Sequence, residues 1–266
     1  GCAGAFVYSW TDEWHRGGED VHDWAFGLVR RDRSPKQALA HVKWSFQDVP
    51  FTPPPSGQDL TGPWPTVSVV VCSFNGSSRI RDCCEGLLRL EYPEFEVIVV
   101  DDGSTDRTGD IAEEYGFRVI RTSNRGLSNA RNVGLNAAAG EIVAYIDDDA
   151  YPDPHWLFYL AFVFRTSDYV GVGGPNLVPA EDGPLAHCVA NSPGGPVHIL
   201  LTDREAEHIP GCNMAFRRHA LQAIDGFDPR FRVAGDDVDV CWRLLERGWK
   251  LGFSASGRVW HHRRSS

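Results

Sequence analysis

Three carboxylates in a row, Asp147, Asp148 and Asp149, follow directly on the apolar run EIVAYI (141–146). Adjacent like charges repel, so each makes its neighbours harder to ionise. An apolar strand ending in such a group is best stabilised by a cation between the carboxylates. Oxygen donors suit a hard divalent ion, Mg2+ or Mn2+. A protein that gives the ion only one or two carboxylates leaves positions open for phosphate oxygens. The competing reading is a solvated acidic turn, or a helix cap ahead of Pro152.

Other residues offer complementary chemistry. Ser73, Phe74 and Asn75 follow the run VSVVVC (67–72), and Asp101 and Asp102 precede Gly103-Ser104. A carboxylate there can accept from a base imide or a ribose hydroxyl; it can equally cap the next helix. Arg131, with Asn129 beside it, can meet phosphate or base, or form a surface salt bridge. Asp236, Asp237 and Asp239 open a predicted helix, where the helix dipole favours them by about 0.3–1 kcal/mol each. One of them, Asp237, is also a candidate general base, with Gly235 leaving room for an acceptor. His261 and His262 follow an apolar stretch, and an imidazole is a competent metal ligand.

The elements that must position these groups are legible as periodicities. VSVVVC (67–72), FEVIVVD (95–101), FRVIR (117–121) and EIVAYI (141–146) read as buried strands. Between them, apolar positions Ile80, Cys83, Cys84, Leu87 and Leu88 mark one face of a helix. Residues 104–116 and 128–140 read as two more helices, each ending in glycine. Strand and helix alternating with short turns predict an α/β fold, a mostly parallel sheet covered on both faces. Ligands bind such sheets beyond the carboxyl ends of the strands. The three polar clusters all fall there. Further on, 155–164 is expected as a buried helix, 171–176 and 213–218 as strands, and 236–248 as a helix. Residues 177–208 are expected as a long loop region.

The chain has 266 residues and a formal net charge of -10, which argues against nucleic acid as a partner. Seven cysteines without CxxC spacing read as reduced thiols, hence a cytoplasmic protein. The longest apolar run, 156–164, is shorter than the ~20 residues of a membrane span. Met214 is the sole methionine, so the chain reads as a piece of a longer protein whose other regions leave membrane association open. Prolines crowd 51–65, predicting a stiff linker between a short N-terminal segment (1–50) and a larger domain (66–266).

The segments VSVVVCSFNG, VIVVDDGSTDRT, NRGLSNARNVGLNAAAG and EIVAYIDDDA, followed by PGCNMAFRR and AGDDVDVCWRL, resemble family 2 glycosyltransferases of the GT-A fold. The resemblance implies inverting transfer from a nucleoside-diphosphate sugar, by default a UDP-sugar, to a saccharide or glycan-precursor acceptor. It implies a nucleotide site of Ser73, Phe74, Asn75, Asp101, Asp102, Asn129, Arg131, Asp147 and Asp148. It makes Asp149 and His261 the ligands of Mn2+ or Mg2+, with Asp147 open to a merely structural role. Gly211, Asn213 and Asp236 would face the acceptor, and Asp237 would be the base. The Q-x-x-R-W signature of processive synthases is absent from the sequence, which predicts single-sugar transfer. A nucleotidyltransferase would need a glycine-rich phosphate loop that CSFNGSSR lacks; a non-catalytic scaffold is the remaining alternative.

Residues 1–50 resemble the last strand and helix of a glycoside hydrolase (β/α)8 barrel, with Trp10, Asp12, Glu13 and Trp14 on its ligand face. The earlier strands that carry such an enzyme's two carboxylates are missing, so no hydrolase activity is expected.

Overall fold

The computed structural model describes residues 9–22, 24–46, 62–190 and 198–262 and forms two units, 1–58 and 59–266. In the first, β1 (Ser9–Thr11) is followed by a hairpin of β2 (Trp14–Arg16) and β3 (Glu19–Val21), then β4 (Gly27–Val29) and helix α1 (Gln37–Phe46). β1 pairs in parallel with β4, so the expected helix is present, but the expected single strand is instead two paired strands plus a hairpin. Gly17 and Gly18, at φ 62° and 89°, make the hairpin turn that other residues resist. Asp12 accepts from Gly27 N–H (2.9 Å) and Lys36 Nζ (2.6 Å), and Glu13 pairs with Arg33 (2.9 Å). Both carboxylates thus serve this unit's own turns.

The second unit carries, in chain order, β5 (Val67–Ser73), α2 (Ile80–Leu88), β6 (Phe95–Asp101), α3 (Thr108–Glu114), β7 (Arg118–Arg121), α4 (Leu127–Ala137) and β8 (Ile142–Asp147). There follow β9 (Ala150–Pro152), α5 (Trp156–Thr166), β10 (Gly171–Gly173), β11 (Asn176–Leu177), a 3-10 turn (Ala180–Asp182) and α6 (Gly183–Ala190). Last come β12 (Ile199–Leu200), β13 (Glu205–His208), β14 (Asn213–Arg217), α7 (Arg218–Ala223), α8 (Asp236–Glu246), β15 (Leu251–Phe253) and β16 (Val259–His261). Nine strands form one sheet in the order β12-β13-β15-β10-β14-β8-β5-β6-β7. Seven of them run one way; only β13 and β14 run against the rest.

The alternation along each strand decides which layer a residue joins. Val69, Val71, Val99 and Ile146 meet α2 and α5, where Ile80, Leu87, Trp156 and Leu160 are buried. Val70, Ile98, Val100 and Tyr145 meet α4, α7 and α8 on the other face, against Leu135, Leu221, Val240 and Leu244. Each such aliphatic side chain contributes roughly 1.5–3 kcal/mol by leaving water.

Two expectations change. Residues 64–65, assigned to the linker, belong to the domain: Trp64 lies against Phe158 (4.4 Å between ring centres), and Tyr92 donates to the Pro65 carbonyl (2.6 Å). The expected loop region 177–208 contains α6, β12 and β13. β13 owes its place to pairing with β15, a partner some forty-six residues away that local periodicity does not reveal. Residues 51–61 of the expected linker, and residues 191–197 of that loop, lie outside the described residues.

Candidate active site

The register of the parallel strands gathers the polar clusters. Cys72 stands beside Asp147, and Ser73 beside Asp101. The ends of β5, β6 and β8 therefore open into one cleft of about 640 Å³. Phe74, Asp102 and the three consecutive aspartates line it, with His261 and His262. Asn124, Gly126, Leu127, Arg232 and Val233 complete its walls. Phe74 is 52% exposed, leaving an aromatic face free at the rim. Asp102 is held by Arg125 N–H (3.0 Å), Gly126 N–H (2.8 Å) and the Thr122 hydroxyl (3.0 Å), so it shapes the 122–126 loop as well as the cleft.

Asp148 sits over β5, where it accepts a hydrogen bond from the Ser73 hydroxyl. Gly76 makes this possible: a Cβ there would collide with the Asp148 carboxylate and with Ser73 Oγ. Burial pushes the Asp148 carboxyl up to about 7; Ser73 opposes this, while Asp149 and Asp147 add to it. A carboxyl whose folded pKa exceeds its unfolded value of 3.8 favours the fold when protonated. Its stabilisation is therefore lost as pH rises from that value to about 7. In chelator, the wild type is expected to lose on the order of 3 kcal/mol more stability between about pH 4 and about pH 8 than Asp148→Asn does. Denaturant melts at both pH values measure this; equal losses in the two proteins would refute it.

His261 arrives from the far end of the domain. β16 pairs antiparallel with β9, placing His261 opposite Ala150, and His262 N–H donates to the Asp149 carbonyl (3.0 Å). His261 Nε2 is then 3.0 Å from Asp149 Oδ1 and 3.8 Å from Asp147 Oδ2. Burial would lower the basicity of His261, but hydrogen bonds to Asp149 and Cys212 and the charge of Asp147 push its pKa up to about 10. Asp147, Cys212 and His261 each offer a donor atom within 4.8 Å of the other two. Carboxylate, imidazole and thiol converging from three elements are a donor set that fits one divalent cation. His262 turns elsewhere: its ring lies 2.7 Å from Asp182 and 3.3 Å from Asp82.

Behind the cleft, Arg131 is 3% exposed. It forms an ion pair with Asp236, which is 1% exposed, lies 3.6 Å from Asp147, and donates to the Gly211 carbonyl (3.2 Å). Burial opposes its charge, but Asp236 and Asp147 hold it protonated. Arg131 so joins the end of β8 to the start of α8. Next to it, Asp237 accepts from Gly211 N–H and Val238 N–H (2.9 Å each), with His208 Nε2 at 3.4 Å. Burial would raise the Asp237 carboxyl; His208 and Gly211 outweigh it and bring it down to about 2.

Several sequence-assigned residues therefore stand differently from expectation. Arg131 makes neither a surface salt bridge nor part of the cleft lining, because Asp236 and Asp147 draw it inward. Asp236 is enclosed with it rather than facing an acceptor. Asn213 is fully buried: it accepts from Trp156 Nε1 (2.8 Å) and donates to the Pro175 and Gly257 carbonyls (2.9 and 2.8 Å). Asp101 accepts from Ser104 N–H (2.9 Å) and neighbours Arg121, away from the cleft. Asn75 takes the left-handed conformation (φ 55°) and accepts from Thr105 N–H (2.8 Å); Asn129 donates to the Arg125 carbonyl (3.0 Å). Each braces a turn. Asp147, left open as a structural cap, instead reaches His261 and Cys212. The sequence reading missed Cys212 and His208. Cys212, between the two named residues Gly211 and Asn213, was within reach of it; His208 meets Asp237 only through the fold.

The profile of the family described as glycosyl transferase family 2 matches residues 68–225. A pre-mycofactocin glycosyltransferase of Mycobacterium tuberculosis is 30% identical over 226 residues, 80% of this chain and 45% of the relative. A glucosyl-dolichyl phosphate glucuronosyltransferase of Haloferax volcanii is 27% identical over 73% of this chain and 68% of its own. Three further glycosyltransferases are spanned over 28%, 27% and 56% of their length, so this chain corresponds to part of most relatives it matches. Among solved structures, S. aureus TarS with UDP-GlcNAc superposes with a TM-score of 0.62 at 21% identity, covering 76% of this chain and 59% of that one. A Pyrobaculum calidifontis mannosyltransferase with GDP-Man and Mn2+ gives 0.60 at 22% identity, covering 84% and 64%. At these identities the two structures establish a shared fold.

Proposed function

Because this chain belongs to glycosyl transferase family 2 and is a glycosyltransferase, we propose that it transfers a sugar from a nucleoside diphosphate to a saccharide or glycan-precursor hydroxyl, with inversion. The observation that carries the reading is the convergence of Asp147, Asp149 and His261 in a cleft that Phe74 and Asp102 also line. Phe74 stacks on the base and Asp102 shapes the ribose pocket. Asp147, Asp149 and His261 would hold Mn2+ or Mg2+, which supplies positive charge to the leaving diphosphate. Asp237, ionised throughout the neutral range, takes the acceptor proton. At about 2 it is a weak base, so proton transfer accompanies formation of the new C–O bond. Arg131 and the Gly211 amide hold that carboxylate in position. UDP is the default nucleotide, with GDP the next to try. The thiols of Cys72, Cys83, Cys84 and Cys241 support a reducing, cytoplasmic setting. We assign residues 1–50, the glycosidase-like segment, no part in the transfer.

The test is a thermal-shift panel of nucleoside diphosphates, each with Mn2+ and with EDTA. At about a hundredfold over Kd, the matching nucleotide with Mn2+ should raise Tm by roughly 5–10 °C. A nucleotide shift as large in EDTA as in Mn2+ would overturn the cation's role.

A further inference from the structure

The cation reading above uses oxygen and nitrogen donors, yet a thiol, Cys212, lies among them. β14 runs antiparallel to β8, with Asn213 opposite Ile146. One step further out lie Cys212 and Asp147, at the level where His261 enters from β16. Their donor atoms, with His261 nitrogen, are within 4.8 Å of one another. Two bonds of about 2.0–2.3 Å to one ion span nearly that distance, so small side-chain shifts bring all three onto a single cation.

Cys212 is also held firmly for such a task. Gly211, before it, is fixed through its N–H to Asp237 and its carbonyl to Arg131. Asn213, after it, is locked by Trp156, Pro175 and Gly257. Cys212 itself is buried, and its sulfur lies within 4.8 Å of donor atoms of Asp147 and His261. Rigid neighbours of this kind keep a ligand oriented.

We propose that Cys212 Sγ is a ligand of the site's divalent cation, together with Asp147 and His261, and that this sulfur selects borderline ions such as Co2+ and Zn2+ over Mg2+. The inference rests on the cation reading of the site. A thiolate is a soft donor, poorly matched to Mg2+, which prefers six oxygens. On binding, the Cys212 thiol releases its proton to solvent and the S–metal bond forms; no electron is transferred.

Cobalt distinguishes the possibilities, because a thiolate bound to Co2+ gives a near-ultraviolet charge-transfer band that oxygen and nitrogen donors do not. The protein carrying Cys2→Ser and Cys188→Ser, which removes the exposed Cys188 sulfur, is titrated with Co2+ alone; calorimetry follows binding and absorbance follows ligation. The band should appear at one equivalent and vanish when Cys212→Ser is added. Cobalt affinity should fall about tenfold or more, with Mg2+ affinity unchanged. Cobalt binding without the band, or with a band that survives Cys212→Ser, overturns the sulfur ligand while leaving the cation site intact. No cobalt binding at all overturns both. Cys212→Ala, followed in the same way, keeps the test available if Cys212→Ser folds poorly: the band should vanish there too, and a band that survives overturns the sulfur ligand.

Discussion

Asp237→Asn is expected to lose about two to four orders of magnitude in turnover while still binding the donor nucleotide. The amide has the same shape and can accept from Gly211 N–H as the carboxylate does, but it takes no proton. The loss should therefore appear in kcat, with donor affinity near that of the wild type. Stability changes are separable. The folded carboxyl at about 2 lies below its ordinary 3.8, so the stabilisation it gives is fully present above 3.8 and disappears as pH falls towards 2. At neutral pH, Asp237→Asn forgoes that contribution, on the order of 2 kcal/mol. Steady-state kinetics at 25 °C, alongside a melting curve, measures both. Turnover within about threefold of wild type would remove Asp237 from the reaction.

Arg131→Met is expected to be the most destabilising of the substitutions considered. It leaves Asp236 enclosed with no cation and deprives Asp147 of the charge 3.6 Å away. Breaking a buried pair from one side costs about 3–5 kcal/mol, or roughly 6–20 °C in Tm for a domain of this size. The cost arises from the stranded carboxylate, so a second change identifies it. Arg131→Met with Asp236→Leu should recover much of the loss, since apolar replacements of buried pairs are often tolerated. A thermal midpoint unchanged by Arg131→Met, or a double variant worse than the sum of its parts, would count against the account. Activity should remain low in the stable double variant, because the Gly211 carbonyl loses its anchor and Asp237 with it its orientation.

Strands and helices up to Asp147 were legible because their signals are local. Val67–Ser73, Phe95–Asp101 and Ile142–Asp147 are mostly apolar, rich in Val and Ile, and Ile80, Cys83, Cys84 and Leu87 repeat at a helical period. That the three polar clusters share one sheet edge followed from right-handed crossovers between parallel strands. The second half was harder, because β13 and β14 take their direction from partners distant in sequence. The site divided along the same line. The residues at the strand ends were readable; their ranking was not. Sequence spacing cannot show that Ser73 is committed to Asp148, that Arg131 is sealed against Asp236, or that Asn213 spends its whole amide on Trp156, Pro175 and Gly257. Nor can it show that Cys212, flanked by two named residues, faces His261.

The pairing of β16 with β9 sets a temporal order on the molecule. Asp147 and His261 are 114 positions apart, and ribosomes deliver chains from the N-terminus at roughly 5–20 residues per second. For several seconds the nascent domain therefore carries its acidic cluster without the imidazole that meets it, and with one edge of β9 still unpaired. Closing so long a loop is the entropically slow kind of contact. On the proposed reading of the site, donor capture waits for β16 to dock, and a stalled or clipped chain that has already folded its sheet is expected to consume no nucleotide sugar.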